Sequence, residues 1–501
     1  MKRLFAAALT FAIAGEFDVR TTVRAWIDSH HPQLVGELLD ALAIPNVAAD
    51  RSNIRKNAEH LRGLFARRGF SSELLETDGN PLVFSSLTVP GASRTLLLYC
   101  HYDGQPVDPR AWKQADPWTP VLRRGRLDEG AAEIPNARAL TRVEPDWRVY
   151  ARSASDDKSP IIGILAAVDA LKAADLAPTS NVKVILDGEE EASSPSLVPA
   201  IGRYRDRLKA DLMIIVDGPT HSSGRPTVVF GARGIAEVDL TVYGPKSGVH
   251  SGNYGNWIPN PAARLASLLA SMKDDDGRVL VKGFYDAVAP MSDEERRMLD
   301  SVPDDSARML KTFGVAAPER AFPKLQQAFQ YPTLNIRGLA SAHVGAGART
   351  IIPDRATAAI DIRLVKETAP ADLMAKLRAH VEAQGFHVVD REPDDGTRAR
   401  YSKIARLAVV GTNTNAFRTS PSNPLARALV DAITRVYAEP PVMIRTAGGT
   451  VPIAPFIDAL GFPAVLVPIV NFDNNQHEEN ENLRLGTWFD GIVTIAAALR
   501  M

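Results

Sequence analysis

Apolar and polar positions follow two different rules along this chain. Short, nearly continuous apolar runs occur at 95–100 (TLLLYC), 182–186, 212–216 and 464–467. Such runs suit strands buried on both faces of a largely parallel sheet. Helical stretches lie between them. The pattern NAEHLRGLFARRG at 57–69 is amphipathic and ends on a glycine. A second helix is expected over 160–173, with Pro160 in the first turn, and a third over 424–437, opened by Asn423 and Pro424. Strands alternating with helices predict an α/β layer fold.

From about 234 to about 417 the rule changes. Ala236, Val238, Leu240 and Val242 alternate with polar or small residues, as do Ile360, Ile362 and Leu364. A period of two marks strands with one wet face, as in an open antiparallel sheet. Helices are expected over 261–272, after an Asn260 cap, and over 370–384. This stretch reads as a smaller α+β domain, 234–417, inserted into a larger one formed by 17–233 and 418–501. The Gly/Pro-rich segment 243–261 reads as its loop and the polar run 412–423 as its exit linker. Segment 273–332 is long and charged, and its pattern assigns it to no element.

A length of 501 residues favours two domains over one. Lys+Arg total 58 and Asp+Glu 59, with no basic stripe and no interleaved aromatics, so neither nucleic acid nor an anionic membrane is an expected partner. One cysteine, Cys100, excludes an internal disulfide and reads as a small buried hydrophobe. At the N-terminus, Lys2 and Arg3 precede an apolar run over 4–14 that ends Ala12-Ile13-Ala14. Residues 1–14 thus have the layout of a signal peptide and are too short to span a bilayer. They predict export to a periplasm or the medium. An unprocessed helix or a cloning remnant around Gly15-Glu16-Phe17 is the other reading, and it leaves the protein cytoplasmic.

Candidate chemistry gathers after the apolar runs. In LLLYCHYD a strand delivers His101 and then Asp103 with the same facing, so a metal-binding imidazole could be oriented by the carboxylate. In SASDDKSP, Asp156 and Asp157 immediately precede a helix, where a carboxylate could bridge two cations or simply cap the helix. Glu189, Glu190 and Glu191 follow a strand and point in different directions. One could bind metal and a neighbour act as a base, or all three could form a solvated turn. Asp217 ends another strand, where ligands gather in open α/β sheets. His477 lies in an Asn/Glu-rich loop. Each alone is ordinary. Together they form a mixed His/Asp/Glu set of the kind that binds paired cations. No G-x-S-x-G elbow competes with it, and Gly448-Gly449 in RTAGGTVP lacks the lysine of a phosphate-binding loop.

The segments HYDGQPVDP, SASDDKSP, GEEEAS, VDGP, HSGNYGN, ARTIIPDRA and QHEENE, in this order over roughly 20–500, together resemble the dizinc exopeptidases. That family comprises carnosine-type dipeptidases, glutamate carboxypeptidase, acetylornithine deacetylase and aminoacylase. The resemblance implies a mostly parallel sheet flanked by helices, with the inserted domain acting as lid and dimerisation unit. It implies two Zn²⁺ per subunit, with Mn²⁺ or Co²⁺ as possible substitutes. One zinc would be held by His101, Asp156 and Asp217, the other by Asp156, Glu191 and His477, with Asp156 as the bridge. It makes Glu190 the general base, Asp103 the support of His101, and the Asp156–Asp157 peptide cis. By the same resemblance His250 would reach the partner active site of a homodimer, and Arg363, Gly449 and Thr450 would hold a substrate carboxylate. Ser153 and Ser159 depart from the family's usual glycines, and 119–149 is a longer insertion than usual.

The expected activity is hydrolysis of an amide bond next to a free carboxylate, as in a dipeptidase or carboxypeptidase. An N-acyl-amino-acid deacylase is the alternative, and a non-catalytic binding protein on the same fold is a remote one. The substrate is then a small peptide or an N-acyl amino acid.

Overall fold

A computed structural model describes residues 2–501, apart from the side chains of residues 2–18 and of Thr412. The apolar run read as an export signal lies outside the described side chains.

The fold is best followed outward from strand Thr95–His101, in which every residue after Thr95 is buried. Leu96, Leu98 and Cys100 enter one apolar cluster, while Leu97 and Tyr99 enter another. Successive side chains of a strand face opposite ways, so a strand covered on both faces must be apolar throughout. Strands Asn181–Asp187 and Leu212–Ile215 flank it in parallel, and Ala464–Leu466 continues the parallel core. Beyond that core, Leu82–Leu87 and Ser71–Leu75 pair antiparallel. On the other side Thr227–Val229 meets Ala464–Leu466 antiparallel and pairs in parallel with Val442–Ile444. The result is one eight-stranded sheet, mixed at its margins where the sequence predicts a mostly parallel one. The margin strand Ser71–Leu75 is mostly exposed or half-buried, so it is not tied to the doubly covered, parallel arrangement.

Helices cover both faces. Lys158–Ala173 and Leu485–Leu499 are buried along nearly their whole length and share one cluster with Lys2–Leu42 and Arg51–Arg67. Leu197–Leu208 and Ala454–Leu460 cover the opposite face. The helix expected at 57–69 begins earlier, at Arg51, because the Asp50 side chain accepts the Asn53 N–H at 3.1 Å and caps it there. The helix expected from Pro160 begins at Lys158, which leaves Pro160 within its first turn.

A second sheet has the order Thr333–Ala340, Arg355–Leu364, Gly234–Tyr243, Ile404–Thr414, His387–Val389, antiparallel except for its last pair. Helices Pro261–Ala270 and Pro370–Ala383 pack on one face, and the two central strands, Gly234–Tyr243 and Arg355–Leu364, alternate buried and half-buried positions. The 412–423 run is less of a linker than its polarity suggests. Its start completes strand Ile404–Thr414, and Phe417–Arg418 pairs with Gly231–Ala232. Backbone hydrogen bonding there overrides side-chain character. Segment 273–332 contributes the helices Asp293–Ser301, Ser306–Phe313 and Leu325–Ala328. The first of these leans on the main sheet, with Met298 in its core and Glu295 bonded to Arg445 at 2.7 Å.

The 119–149 insertion contributes to a small sheet in which Arg148–Tyr150 lies between Val121–Arg123 and Asn482–Arg484. Arg126 and Arg148 both reach Asp473 at 2.7 Å. The insertion therefore braces the loop that carries His477.

Candidate metal centre

The parallel strands of the main sheet end on the same side, and three of them deliver acidic or imidazole groups to one place. His101 is the last residue of its strand. Glu190 and Glu191 open a short turn just beyond strand Asn181–Asp187, and Asp217 stands two residues past Leu212–Ile215. Asp156 comes from the turn before helix Lys158–Ala173, and its peptide bond to Asp157 is cis. His477 comes from a loop in which Asn475, His477 and Asn480 all have positive φ. Asparagine and histidine tolerate that backbone better than most residues, which gives the loop's composition a structural reason.

These side chains meet. His101 Nε2 lies 2.8 Å from Asp156 Oδ1, and His477 Nε2 lies 3.1 Å from Asp156 Oδ2 and 3.5 Å from Glu191 Oε2. Asp156, Glu191 and His477 form one triad, and His101, Asp157 and Asp217 another, each with ligand atoms within 4.8 Å of one another. Asp156 thus stands between the two imidazoles. Asp157, to which the sequence reading gives no ligand role, shares the second triad. Its Oδ2 accepts the His101 N–H at 3.1 Å, while its buried Oδ1 has no hydrogen-bond partner among the described residues.

Asp103 does more than the sequence suggests. Its carboxylate lies 3.4 Å from His101 Nδ1, and its two oxygens accept the N–H groups of Glu190 and Glu191, both at 3.1 Å. One buried carboxylate fixes an imidazole and the acidic turn together. Gln105, within HYDGQP, has no role in the sequence pattern, yet its Nε2 donates to Glu191 Oε2 at 2.5 Å.

The electrostatics are those of crowded carboxylates. Burial, then the Asp156 charge, pushes Glu191 up to about 7 and Asp217 up to about 6. Burial also raises Glu190 well above its ordinary value. His477, bonded to Asp156, rises to about 9. Burial opposes the charge on His101, but Glu190, Asp103 and Asp156 outweigh it and raise its pKa well above 6.5. Asp156 is lowered, its two histidine partners overcoming burial. Six carboxylates around two imidazoles leave surplus negative charge in a dry place, which is costly unless a cation answers it. Imidazole nitrogens and carboxylate oxygens suit divalent ions such as zinc. The residues therefore fit a dinuclear metal site, with the half-exposed His477 on its open side.

Arg363 and Thr450 also come together, Nη1 donating to Oγ1 at 2.7 Å. Beside them is Arg233, not singled out in the sequence, whose Nε donates to the Gly448 carbonyl at 2.9 Å. Burial and the neighbouring Arg363 charge lower Arg233 to about 10. His250 is exposed, accepts the Gly252 N–H at 3.0 Å, and belongs to neither triad.

A family model described as Peptidase family M20/M25/M40 matches residues 97–501. The Cys-Gly metallodipeptidase of Schizosaccharomyces pombe is 26% identical over 487 residues, 93% of this chain and 94% of that one. The Beta-Ala-His dipeptidase of Rattus norvegicus is 28% identical over 425 residues, 83% and 79% of the two chains. Among solved structures, an M20 family metallo-carboxypeptidase from Sulfolobus solfataricus superposes with a TM-score of 0.73 at 29% identity, over 93% of this chain and 98% of its own. The family match spans most of the chain and contains every residue of both triads, so the chain belongs to Peptidase family M20/M25/M40 and is a metal-dependent peptidase.

Proposed function

We propose that this protein is a zinc-dependent dipeptidase that cleaves the amide bond next to a free carboxylate. The observation that carries the reading is the place of Asp156, 2.8 Å from His101 and 3.1 Å from His477, where one carboxylate can serve two cations. In this reading His101, Asp156 and Asp217 hold one ion, and Asp156, Glu191 and His477 hold the other. When bound, such ions supply the positive charge that lowers the pKa of a water toward about 7 and polarises the scissile carbonyl.

The chain's own groups do the rest. Glu190 takes the proton of the attacking water and returns it to the departing amine. Asp103 holds the backbone of the Glu190–Glu191 turn, and so the position of the base. Arg363, Gly449 and Thr450 anchor the substrate carboxylate, a task suited to the paired donors of a guanidinium. His250 steadies the oxyanion across a homodimer interface. Its exposure is consistent with that, as are exposed Ile336 and Leu339 on the edge strand of the second sheet. Closure of the second sheet's domain over the metal centre completes the site. The N-terminal run serves as an export signal, which N-terminal sequencing of the mature protein tests.

The likeness to a metallo-carboxypeptidase supports a second reading, in which longer peptides lose their C-terminal residue. A panel of dipeptides, longer peptides and N-acyl amino acids, assayed with zinc supplied, separates these. Turnover confined to N-acyl amino acids would remove the dipeptidase reading. Metal analysis should find two zinc ions per chain, and chelation should abolish activity until zinc is restored.

A further inference from the structure

Glu481 belongs to neither triad, yet it is fully buried and receives the whole turn that carries Asp156. Its Oε1 accepts the Ser155 N–H at 2.8 Å, the Ser155 hydroxyl at 2.9 Å and the Asp156 N–H at 2.9 Å. Its Oε2 accepts the Ser153 N–H at 2.9 Å and Arg152 Nη1 at 2.8 Å. The Glu481 carbonyl also accepts the Ala151 N–H at 3.2 Å. Glu481 sits four residues after His477 in the chain. One side chain therefore ties the loop carrying His477 to the turn carrying Asp156, across 325 positions of sequence.

All five side-chain partners are donors, and only a carboxylate accepts at both ends. A buried carboxylate with this many charge-assisted bonds holds its partners more tightly than neutral groups would. The turn needs such a hold. Ser153 has φ +62°, and its hydroxyl accepts from Asn46 Nδ2 at 2.9 Å rather than bracing Asp156.

We infer that Glu481 is a positioning residue: acting through Asp156 and the His477 loop, it sets how closely the two triads stand and so how tightly they bind paired metal. This rests on the metal reading given above and adds a residue to it. Cobalt(II) is the probe, titrated into metal-free protein and followed by its visible absorption and by competition with a chelator. Glu481→Gln puts an amide N–H against a donor whichever way it turns. It is expected to fold, to bind cobalt roughly 10–100-fold more weakly with an altered spectrum, and to lose kcat with little change in KM. Glu481→Asp keeps the acceptors and should recover part of the affinity. Ser155→Ala removes one of the five bonds and should weaken binding by a smaller factor, roughly fivefold. If Glu481→Gln does not fold, Ser155→Ala decides. Wild-type affinity and spectrum in the folded variant would overturn the assignment. Failure of the underlying metal reading looks different, because the wild-type protein itself then takes up no cobalt at these residues.

Discussion

The two sheets of this protein obey different rules, and the contrast explains where its chemistry sits. The eight-stranded sheet is covered by helices on both faces, and strands such as Thr95–His101 have no wet side. The five-stranded sheet packs the helices Pro261–Ala270 and Pro370–Ala383 on one face, and its edge strand Thr333–Ala340 leaves Ile336 and Leu339 exposed. Parallel strands locked in a dry layer end at fixed positions, and they place His101, Glu190, Glu191 and Asp217 with little freedom. The half-wet sheet carries Arg363, and His250 follows its strand Gly234–Tyr243 in chain order on a separate two-stranded pair, Val249–His250 with Ile351–Ile352. In the proposed function these two groups meet substrate or another subunit. On that reading the doubly covered sheet places the metal-binding groups and the half-wet sheet contributes to substrate recognition.

Breaking each side separately should give different signatures. The largest effect is expected from Glu190→Ala, which should lower kcat by about 10²–10⁴-fold while metal content stays at the wild-type level. Near-normal turnover in the metal-loaded variant would remove Glu190 from its role. Next comes the core. Leu98→Ala in the main sheet and Leu240→Ala in the second remove fully buried side chains, and each should cost about 2–5 kcal/mol in denaturant unfolding. Only Leu98→Ala should also weaken metal uptake, since its strand carries His101. Equal metal affinities in the two variants would erase the contrast between the sheets.

Arg363→Lys probes recognition more gently. Loss of the planar fork should raise KM roughly 10–100-fold with a smaller change in kcat, measured by steady-state kinetics on a dipeptide. The smallest effect belongs to Ile336→Lys, which should move unfolding by less than about 0.5 kcal/mol. Sedimentation of the same variant sharpens the comparison. A shift toward a smaller species would mark the edge strand as a contact between subunits, and an unchanged, active monomer in both proteins would remove that role.

Much of this was legible in the primary structure because it rests on local rules. Continuous apolar runs marked the doubly covered strands, and alternation at Val238, Leu240, Ile360 and Ile362 marked the half-wet ones. The helix over Pro424–Tyr437 was readable from its Asn423 cap and Pro424 start. Other features escaped because their partners are remote in sequence. Nothing near Glu481 announces that it holds a turn 325 residues away, and nothing in GARG announces that Arg233 lies beside Arg363. Asp157 gives no local sign that it shares a triad with His101 and Asp217. The Asp50 cap is local and readable in the sequence, and it starts helix Arg51–Arg67 before the amphipathic pattern at 57–69 begins.

By itself, then, the order of amino acids determined which stretches become strands and helices, since periodicity and capping act over a few residues. It also determined the set of imidazole and carboxylate side chains from which a metal centre can be built, because those are the right donors wherever they stand. Only the tertiary structure decided that Asp156 lies between His101 and His477, which buried acids support the site, and that the 119–149 insertion braces the His477 loop. Those are relations between distant segments, and they exist only once the sheet brings its strand ends together.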